Sequence, residues 1–159
     1  IYEGTTGIQA LDLVGRKTLL NQGELLTRLL DEIGETVALL QGSATLAHQA
    51  EALDDALCAG RAALRVLLDN AKNDAHLAGS ISVNFMMLFG YLCGGWLMAR
   101  SALRAQALLD SGNGDPQFLD AKRITADFYA EQLLPRVHAL LAAISSGSKS
   151  IMALDDEQF

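Results

Sequence analysis

The chain has 159 residues, of which 50% are hydrophobic and only 19% are charged, and its formal net charge is −7. A chain of this length makes one domain, which buries about two-thirds of the surface that its unfolded form exposes. The acidic balance, without any basic cluster, argues against nucleic acid and anionic membrane surfaces as partners and favours a soluble protein. Alanine and leucine dominate over β-branched residues, and only two prolines interrupt the chain, so helices are favoured over strands.

The N-terminal part of the chain predicts two helices. Residue 1 is isoleucine rather than methionine, and we expect that the true N-terminus is absent, so a signal peptide cannot be judged. After an opening loop, the first helix covers about 6–20, and an Asn-Gln-Gly break separates it from a second helix over about 24–41. Their apolar residues follow helical spacing: Ile8, Leu11, Leu13 and Val14, then Leu26, Leu30, Ile33, Val37 and Leu40.

The third predicted helix has the most regular pattern. Its apolar and small residues alternate spacings of four and three, which is typical of a seam between packed helices, and the small residues let a neighbour approach. A metal, nucleotide or catalytic site on this helix has little support. The seam consists of Leu46, Ala50, Leu53, Leu57, Gly60, Leu64, Leu67 and Ala71.

The fourth predicted helix contains residues 77–99, where no side chain is charged, and by length alone it could span a bilayer. It includes Gly90-x-x-x-Gly94, a pattern that pairs membrane helices. Polar residues, four glycines and the continuation into the charged run 100–110 instead favour a central helix surrounded by protein on all sides. On that interpretation three methionines fill the core: Met86, Met87 and Met98.

The last predicted helix covers about 116–145. Asp115 followed by Pro116 is typical of an N-cap and first helical position, and Pro135 is expected to kink the helix. The sequence therefore predicts an all-α fold, an antiparallel bundle of about four to five helices with a long, buried central helix. The residues expected to point inward from the last helix are Ile124, Phe128, Leu133, Val137, Leu140 and Ile144.

Few side chains outside the opening segment suggest chemistry. His48, His76 and His138 are isolated, without cysteines or carboxylates at ligand spacing, so no metal site is predicted. Cys58 and Cys93 are expected to be two reduced, buried thiols of a cytoplasmic protein rather than a disulfide. The sequence contains no nucleophile elbow and no phosphate-binding glycine loop.

The opening nonapeptide, IYEGTTGIQ, carries the most specific pattern. It resembles the Y-E-G-T-x-x-I-Q signature at the entry to the last core helix of the acyl-CoA dehydrogenases, a family of flavoenzymes. Gly7 departs from that pattern, because many members of the family carry a polar side chain there. The continuation ALDLVGRKTL and the segment FYAEQLLPRV at 128–137 resemble a bacterial subgroup with an additional C-terminal helical domain. The matching signature residues are Tyr2, Glu3, Gly4, Thr5, Ile8 and Gln9.

The resemblance implies oxidation of an acyl-CoA thioester to the trans-2-enoyl product, with FAD as cofactor. Glu3 would remove the α-proton while the β-carbon delivers hydride to the flavin, and burial would raise the pKa of this carboxylate toward its task. Two alternatives stay open: Glu3 is an ordinary solvated acid near the chain end, or the base lies on a different helix, as in some branches of the family. The resemblance also implies that Tyr2 and Gly4 contact the substrate and that Thr5, Thr6 and Gly7 contact FAD. An alternative for Thr5 is a plain N-cap of the first helix.

The resemblance also implies a domain division and partners. Residues 1–41 would end the C-terminal helical core of the enzyme, and residues 42–159 would form the added domain, packed as one bundle with the preceding helices. An electron-transferring flavoprotein would accept the electrons, the protein would be a homo-oligomer without a membrane span, and the fragment alone would be inert. Two alternatives are a non-catalytic helical assembly module and an acyl-CoA oxidase that uses oxygen.

Overall fold

A computed structural model describes residues 3–158 of the chain, without the side chains of Glu3 and Asp156. Within these residues the fold is all helical, as predicted, and no strand is present. A 3-10 turn, Glu3–Thr5, opens the described part, and further short 3-10 turns lie between some of the helices. The α-helices are α1 (Thr6–Asp12), α2 (Glu24–Gln41), α3 (Ala47–Asn70), α4 (Leu77–Asp110), α5 (Pro116–Gln132) and α6 (Arg136–Ser145).

Helix α4 is the centre of the bundle, because it contacts each of the other five α-helices. Its inner face inserts large apolar side chains, and Phe85, Leu88 and Leu92 are completely buried. Trp96, further along α4, donates a hydrogen bond from Nε1 to the Thr36 hydroxyl of α2 at 2.7 Å, so its ring nitrogen is satisfied inside the bundle. The predicted bundle with a long central helix is confirmed.

The seam predicted on the third helix is confirmed as part of the core. Its leucines Leu46, Leu53 and Leu67 are at most 1% exposed. Gly60 permits the close approach of α4, since a Cβ at that position would lie 2.7 Å from Leu92 Cδ2. Helices α2 and α3 begin and end close to the predicted bounds because their apolar stripes coincide with the faces that they bury.

The first helix is less regular than predicted. After α1 the chain widens into a π-helical segment, Leu13–Thr18, and then tightens into a 3-10 turn, Leu19–Asn21. The buried Thr18 hydroxyl donates to the Leu13 carbonyl at 2.8 Å, five residues back, which suits the π-helical spacing. The predicted break at 21–23 is confirmed, and Gly23 takes a φ of 78°, a conformation that favours glycine.

The last predicted helix is two helices. The chain leaves helical geometry at Leu133–Pro135, so Pro135 breaks the predicted helix rather than only kinking it. The expectation that Ile124 and Phe128 point inward is wrong, because these side chains are 67% and 56% exposed. Helix α5 instead packs on α4 through its small residues, Ala126 and Ala130.

Two consecutive glycines of α4 make room for α5 and for the turn that follows it. A Cβ at Gly94 would overlap the Tyr129 hydroxyl, and a Cβ at Gly95 would lie 2.8 Å from Leu134 Cδ1. The Tyr129 hydroxyl donates to the Tyr91 carbonyl of α4 at 3.2 Å. The two glycines thus leave room for the large side chains of Tyr129 and Leu134, whereas Ile124 and Phe128 of α5 remain exposed.

One face of α4 is open, so the expectation that protein surrounds this helix on all sides is wrong in that respect. Val83, Met87 and Leu97 are 43%, 40% and 52% exposed. Among the described residues α4 is the one helix that is long and apolar enough to cross a membrane by length and composition. The core helix of a helical bundle can be as long and as apolar as a membrane-spanning helix.

The two cysteines are free, but they differ in exposure. Cys58 on α3 is exposed, so the prediction that it is buried is wrong, whereas Cys93 on α4 is partly buried. Burial raises the pKa of the Cys93 thiol, which disfavours the reactive thiolate at neutral pH.

We therefore expect a disulfide reagent to label Cys58 rapidly and Cys93 slowly at neutral pH. The measurement is the release of thionitrobenzoate from Ellman's reagent, followed over time in the native protein and again after denaturation. A Cys58→Ser variant is the control and is expected to lose the fast phase alone. Equal rates for the two thiols in the native protein would contradict this account.

Candidate active site

The segment Glu3–Gly7 lies at the start of α1. Its first three residues form the 3-10 turn, and the helix begins at Thr6. Gly4, Thr5 and Gly7 are exposed, and Thr6 is partly exposed. Tyr2 lies outside the described residues, and of Glu3 only the backbone is described, so the positions of these two side chains stay predictions.

Buried residues of α1 and the π-helical segment hold this start of the helix in place. Ala10 and Val14 are completely buried, and Thr18 is 1% exposed. Both α1 and the π-helical segment contact the central helix α4. The N-terminal segment is therefore positioned through contacts with the central helix of the bundle.

The surface around this segment is open toward its glycines. A Cβ added at Gly4 or at Gly7 would meet no heavy atom of the described residues within 4 Å. Thr5 occupies the N-cap position of α1.

Charged side chains follow one turn further along. Arg16 and Lys17 both form ion pairs with Asp12, and the hydrogen bond from the Arg16 guanidinium holds the pKa of this carboxyl below its ordinary value. Asp12 therefore stays ionised at neutral pH, and the three groups are structurally engaged with one another rather than poised for acid–base chemistry.

Large apolar side chains are exposed on the outer side of the same region. Ile8 and Leu11 of α1 are 69% and 50% exposed, and Leu20 and Leu25 are 80% and 60% exposed. A groove of about 420 Å³, mainly apolar, lies next to Leu20 and Leu25. Exposed apolar side chains gathered in one region are typical of surfaces that contact further protein.

A second group of polar residues lines a groove of about 730 Å³ between α3 and the α5–α6 region. His138 Nε2 lies 2.8 Å from Asp55 Oδ2, and His48 Nε2 lies 3.6 Å from Glu131 Oε1. The two histidines are isolated in the sequence and gain these carboxylate neighbours only on folding, which brings together residues that lie far apart in the chain. All four side chains are about half exposed or more, and no described group of three His, Cys, Asp or Glu residues could hold a metal ion.

Comparison with known proteins decides the family. A family model described as acetyl-CoA dehydrogenase C-terminal like matches residues 29–155. The chain belongs to the acyl-CoA dehydrogenase family, as a C-terminal domain. The matched range begins within α2, after the signature segment, so the model does not test the roles predicted for residues 2–7.

Three curated acyl-CoA dehydrogenase relatives match almost the whole chain. The chain is 42% identical, over 96% of its length, to 3-methylmercaptopropionyl-CoA dehydrogenase of Ruegeria pomeroyi. It is 35% identical to a broad-specificity linear acyl-CoA dehydrogenase of Mycobacterium tuberculosis and 26% identical to butyryl-CoA dehydrogenase of Syntrophomonas wolfei, in both cases over 100% of its length. The chain spans about a quarter of the length of these relatives, 26%, 27% and 26% respectively.

The predicted site residues of this acyl-CoA dehydrogenase domain thus fall into two groups. The backbone from Gly4 to Gly7 is described, open and anchored through α1. The Tyr2 and Glu3 side chains, which carry the predicted substrate contact and proton transfer, lie outside the description. The sequence analysis missed the His48–Glu131 and Asp55–His138 pairs. The one signal for them is that Asp55 lies seven residues after His48, which places both residues on the same face of α3.

Proposed function

We propose that this chain is the C-terminal part of a flavin-dependent acyl-CoA dehydrogenase, which oxidises an acyl-CoA thioester to the trans-2-enoyl-CoA. Family membership and three relatives that are all named as dehydrogenases of CoA thioesters support the proposal. One structural observation carries it: Gly4 and Gly7 of the signature segment are exposed, and the helix that follows is anchored to the bundle core.

Glu3 is proposed as the base that takes the α-proton of the substrate. Its carboxylate accepts the proton, and the electrons of the broken C–H bond are stabilised toward the thioester carbonyl by hydrogen-bond donors. Gly4 keeps the adjacent backbone free of a side chain, so the acyl chain can pass close to it. Tyr2 is proposed to line the acyl pocket.

Thr5, Thr6 and Gly7 are proposed to contact FAD. The residues present fit one wall of such a site, because Thr5 and Gly7 are exposed and a Cβ at Gly7 would meet no described heavy atom within 4 Å. When bound, FAD supplies the acceptor for the hydride that leaves the β-carbon. These three residues orient the ring system with respect to Glu3 and donate no proton themselves.

The exposed apolar side chains near the segment fit this proposal. In the parent enzyme, further protein is expected to cover Ile8 and Leu11 and thereby exclude water from the crevice around Glu3. On this proposal residues 1–41 end the catalytic helical core and residues 42–159 are the added domain. The fragment alone is expected to be inert, because it contributes only part of the crevice.

The remaining parts of the proposal rest on the family resemblance alone. We propose an electron-transferring flavoprotein as the electron acceptor, a homo-oligomeric parent enzyme and a cytoplasmic location. An oxidase that passes electrons to oxygen is the second enzymatic candidate. A non-catalytic assembly module is the third candidate, and the exposed Ile8 and Leu11 also suit it.

The proposal is tested on the purified parent protein. We expect a yellow protein whose flavin absorption band bleaches anaerobically when a suitable acyl-CoA is added. Re-admission of air separates the two enzymatic candidates, since rapid recovery of the colour with release of hydrogen peroxide indicates an oxidase. A colourless protein, or one that no acyl-CoA bleaches, would leave the assembly module as the better account.

A further inference from the structure

Gln49 is a buried polar residue at the contact between α3 and α5. Its side chain is only 3% exposed, and its Nε2 donates a hydrogen bond to Asp127 Oδ1 at 2.6 Å. Its carbonyl oxygen, Oε1, accepts no hydrogen bond from any residue that the structure describes. A buried carbonyl left in this way costs about 1–3 kcal/mol of desolvation, so an acceptor of this kind normally has a partner.

The direction of this carbonyl is fixed by its neighbour. An ionised carboxylate only accepts hydrogen bonds, so Asp127 requires the amide nitrogen of Gln49, not its oxygen. Turning the amide over would bring two acceptors together and leave the NH2 group without an acceptor. The oxygen of Gln49 is therefore committed to the opposite side, away from Asp127.

A small cavity of about 10 Å³ lies beside Gln49, where α3, α4 and α5 meet. A cavity of this volume has room for a single water molecule. Tyr129 carries the other polar side chain of the lining, and its hydroxyl donates to the Tyr91 carbonyl and keeps lone pairs for a donor. The remaining lining residues are Leu53, Gly95, Ala99, Ala126, Ala130 and Leu134.

We propose that this cavity is a binding site for one ordered water molecule, which donates hydrogen bonds to Gln49 Oε1 and to the Tyr129 hydroxyl oxygen. The water satisfies the buried carbonyl and connects α3 to α5 beside the paired glycines of α4. Two polar partners within a cavity of this size meet the requirement for a retained internal water, whereas a wholly apolar cavity would stay dry. The site is independent of the proposed catalytic role of Glu3.

A crystal structure of the intact protein, at a resolution that orders internal waters, tests the site directly. We expect one density peak within about 2.6–3.2 Å of both Gln49 Oε1 and the Tyr129 hydroxyl oxygen. No peak at that position would overturn the proposal, and so would a Gln49 amide whose nitrogen faces the cavity.

Two variants separate the water from the Gln49–Asp127 hydrogen bond. Gln49→Met and Asp127→Ala both remove that hydrogen bond, but only Gln49→Met also removes the carbonyl that holds the water. We therefore expect the density peak to persist in Asp127→Ala and to disappear in Gln49→Met. Persistence of the peak in Gln49→Met would contradict the role assigned to Gln49 Oε1.

Discussion

Replacing Glu3 by Gln in the parent enzyme is expected to leave FAD bound and to lower kcat by at least about 10³-fold, within the range of lost general-base catalysis. Gln keeps the size of the side chain but cannot accept the α-proton at neutral pH. The measurement is the steady-state rate with an artificial electron acceptor, together with the flavin absorption spectrum of the purified variant. Turnover within tenfold of the wild type would place the base on another residue.

A matched control for this substitution is Glu24→Gln at the start of α2. Glu24 is an exposed carboxylate that pairs with Arg28 within the same helix, and a surface pair of this kind contributes about 0–1 kcal/mol. We expect this variant to keep the wild-type rate within about twofold, because a loss of up to 1 kcal/mol in stability does not reach the chemical step. A similar loss of activity in both variants would indicate a general loss of structure rather than a lost base.

Replacing Gly94 by Ala is expected to lower the free energy of unfolding by about 1–3 kcal/mol, the usual cost of overpacking a close contact. The added methyl group would overlap the Tyr129 hydroxyl, so the ring must move and its hydrogen bond to the Tyr91 carbonyl is weakened. Urea unfolding followed by circular dichroism measures the change. An unchanged or increased stability would contradict the close packing of α5 on α4.

Gly90 provides the matched control, because it lies four residues earlier on the same helix and a Cβ there would meet nothing within 4 Å. Replacing it by Ala is expected to raise stability by up to about 1 kcal/mol, the helix-propensity difference between the two residues. The two glycines of the Gly90-x-x-x-Gly94 pattern therefore have opposite expected effects. Equal loss at both positions would instead suit a helix pair that uses both glycines, as in a membrane dimer.

The sequence predicted the helical bundle well where one apolar stripe dominated. On α3 the seam from Leu46 to Leu67 coincides with the buried face, and on α2 Leu30 and Ile33 do so as well. On α5 the same reasoning failed, since Ile124 and Phe128 form the larger apolar stripe but lie outside. The spacing of large apolar residues predicts which face of a helix is buried. In α5 the buried face is set instead by the space above the glycines of α4, which admits Tyr129.

The candidate site shows a similar division. The sequence signature located the segment at the start of the first helix, and the structure places that start on a helix held by Ala10 and Val14. The π-helical segment that follows could not be predicted, because it depends on the buried Thr18 hydroxyl and its bond to the Leu13 carbonyl. The His138–Asp55 pair joins residues 83 positions apart in sequence, and no local pattern reports such a contact.

The most direct measurement is a crystal structure of the parent enzyme with FAD and a bound acyl-CoA analogue. The account predicts the Glu3 carboxylate within about 3–3.5 Å of the α-carbon, the separation of reacting atoms ready for transfer, with the flavin ring across the substrate. A Glu3 side chain that points into solvent, with another carboxylate at the α-carbon, would contradict the account.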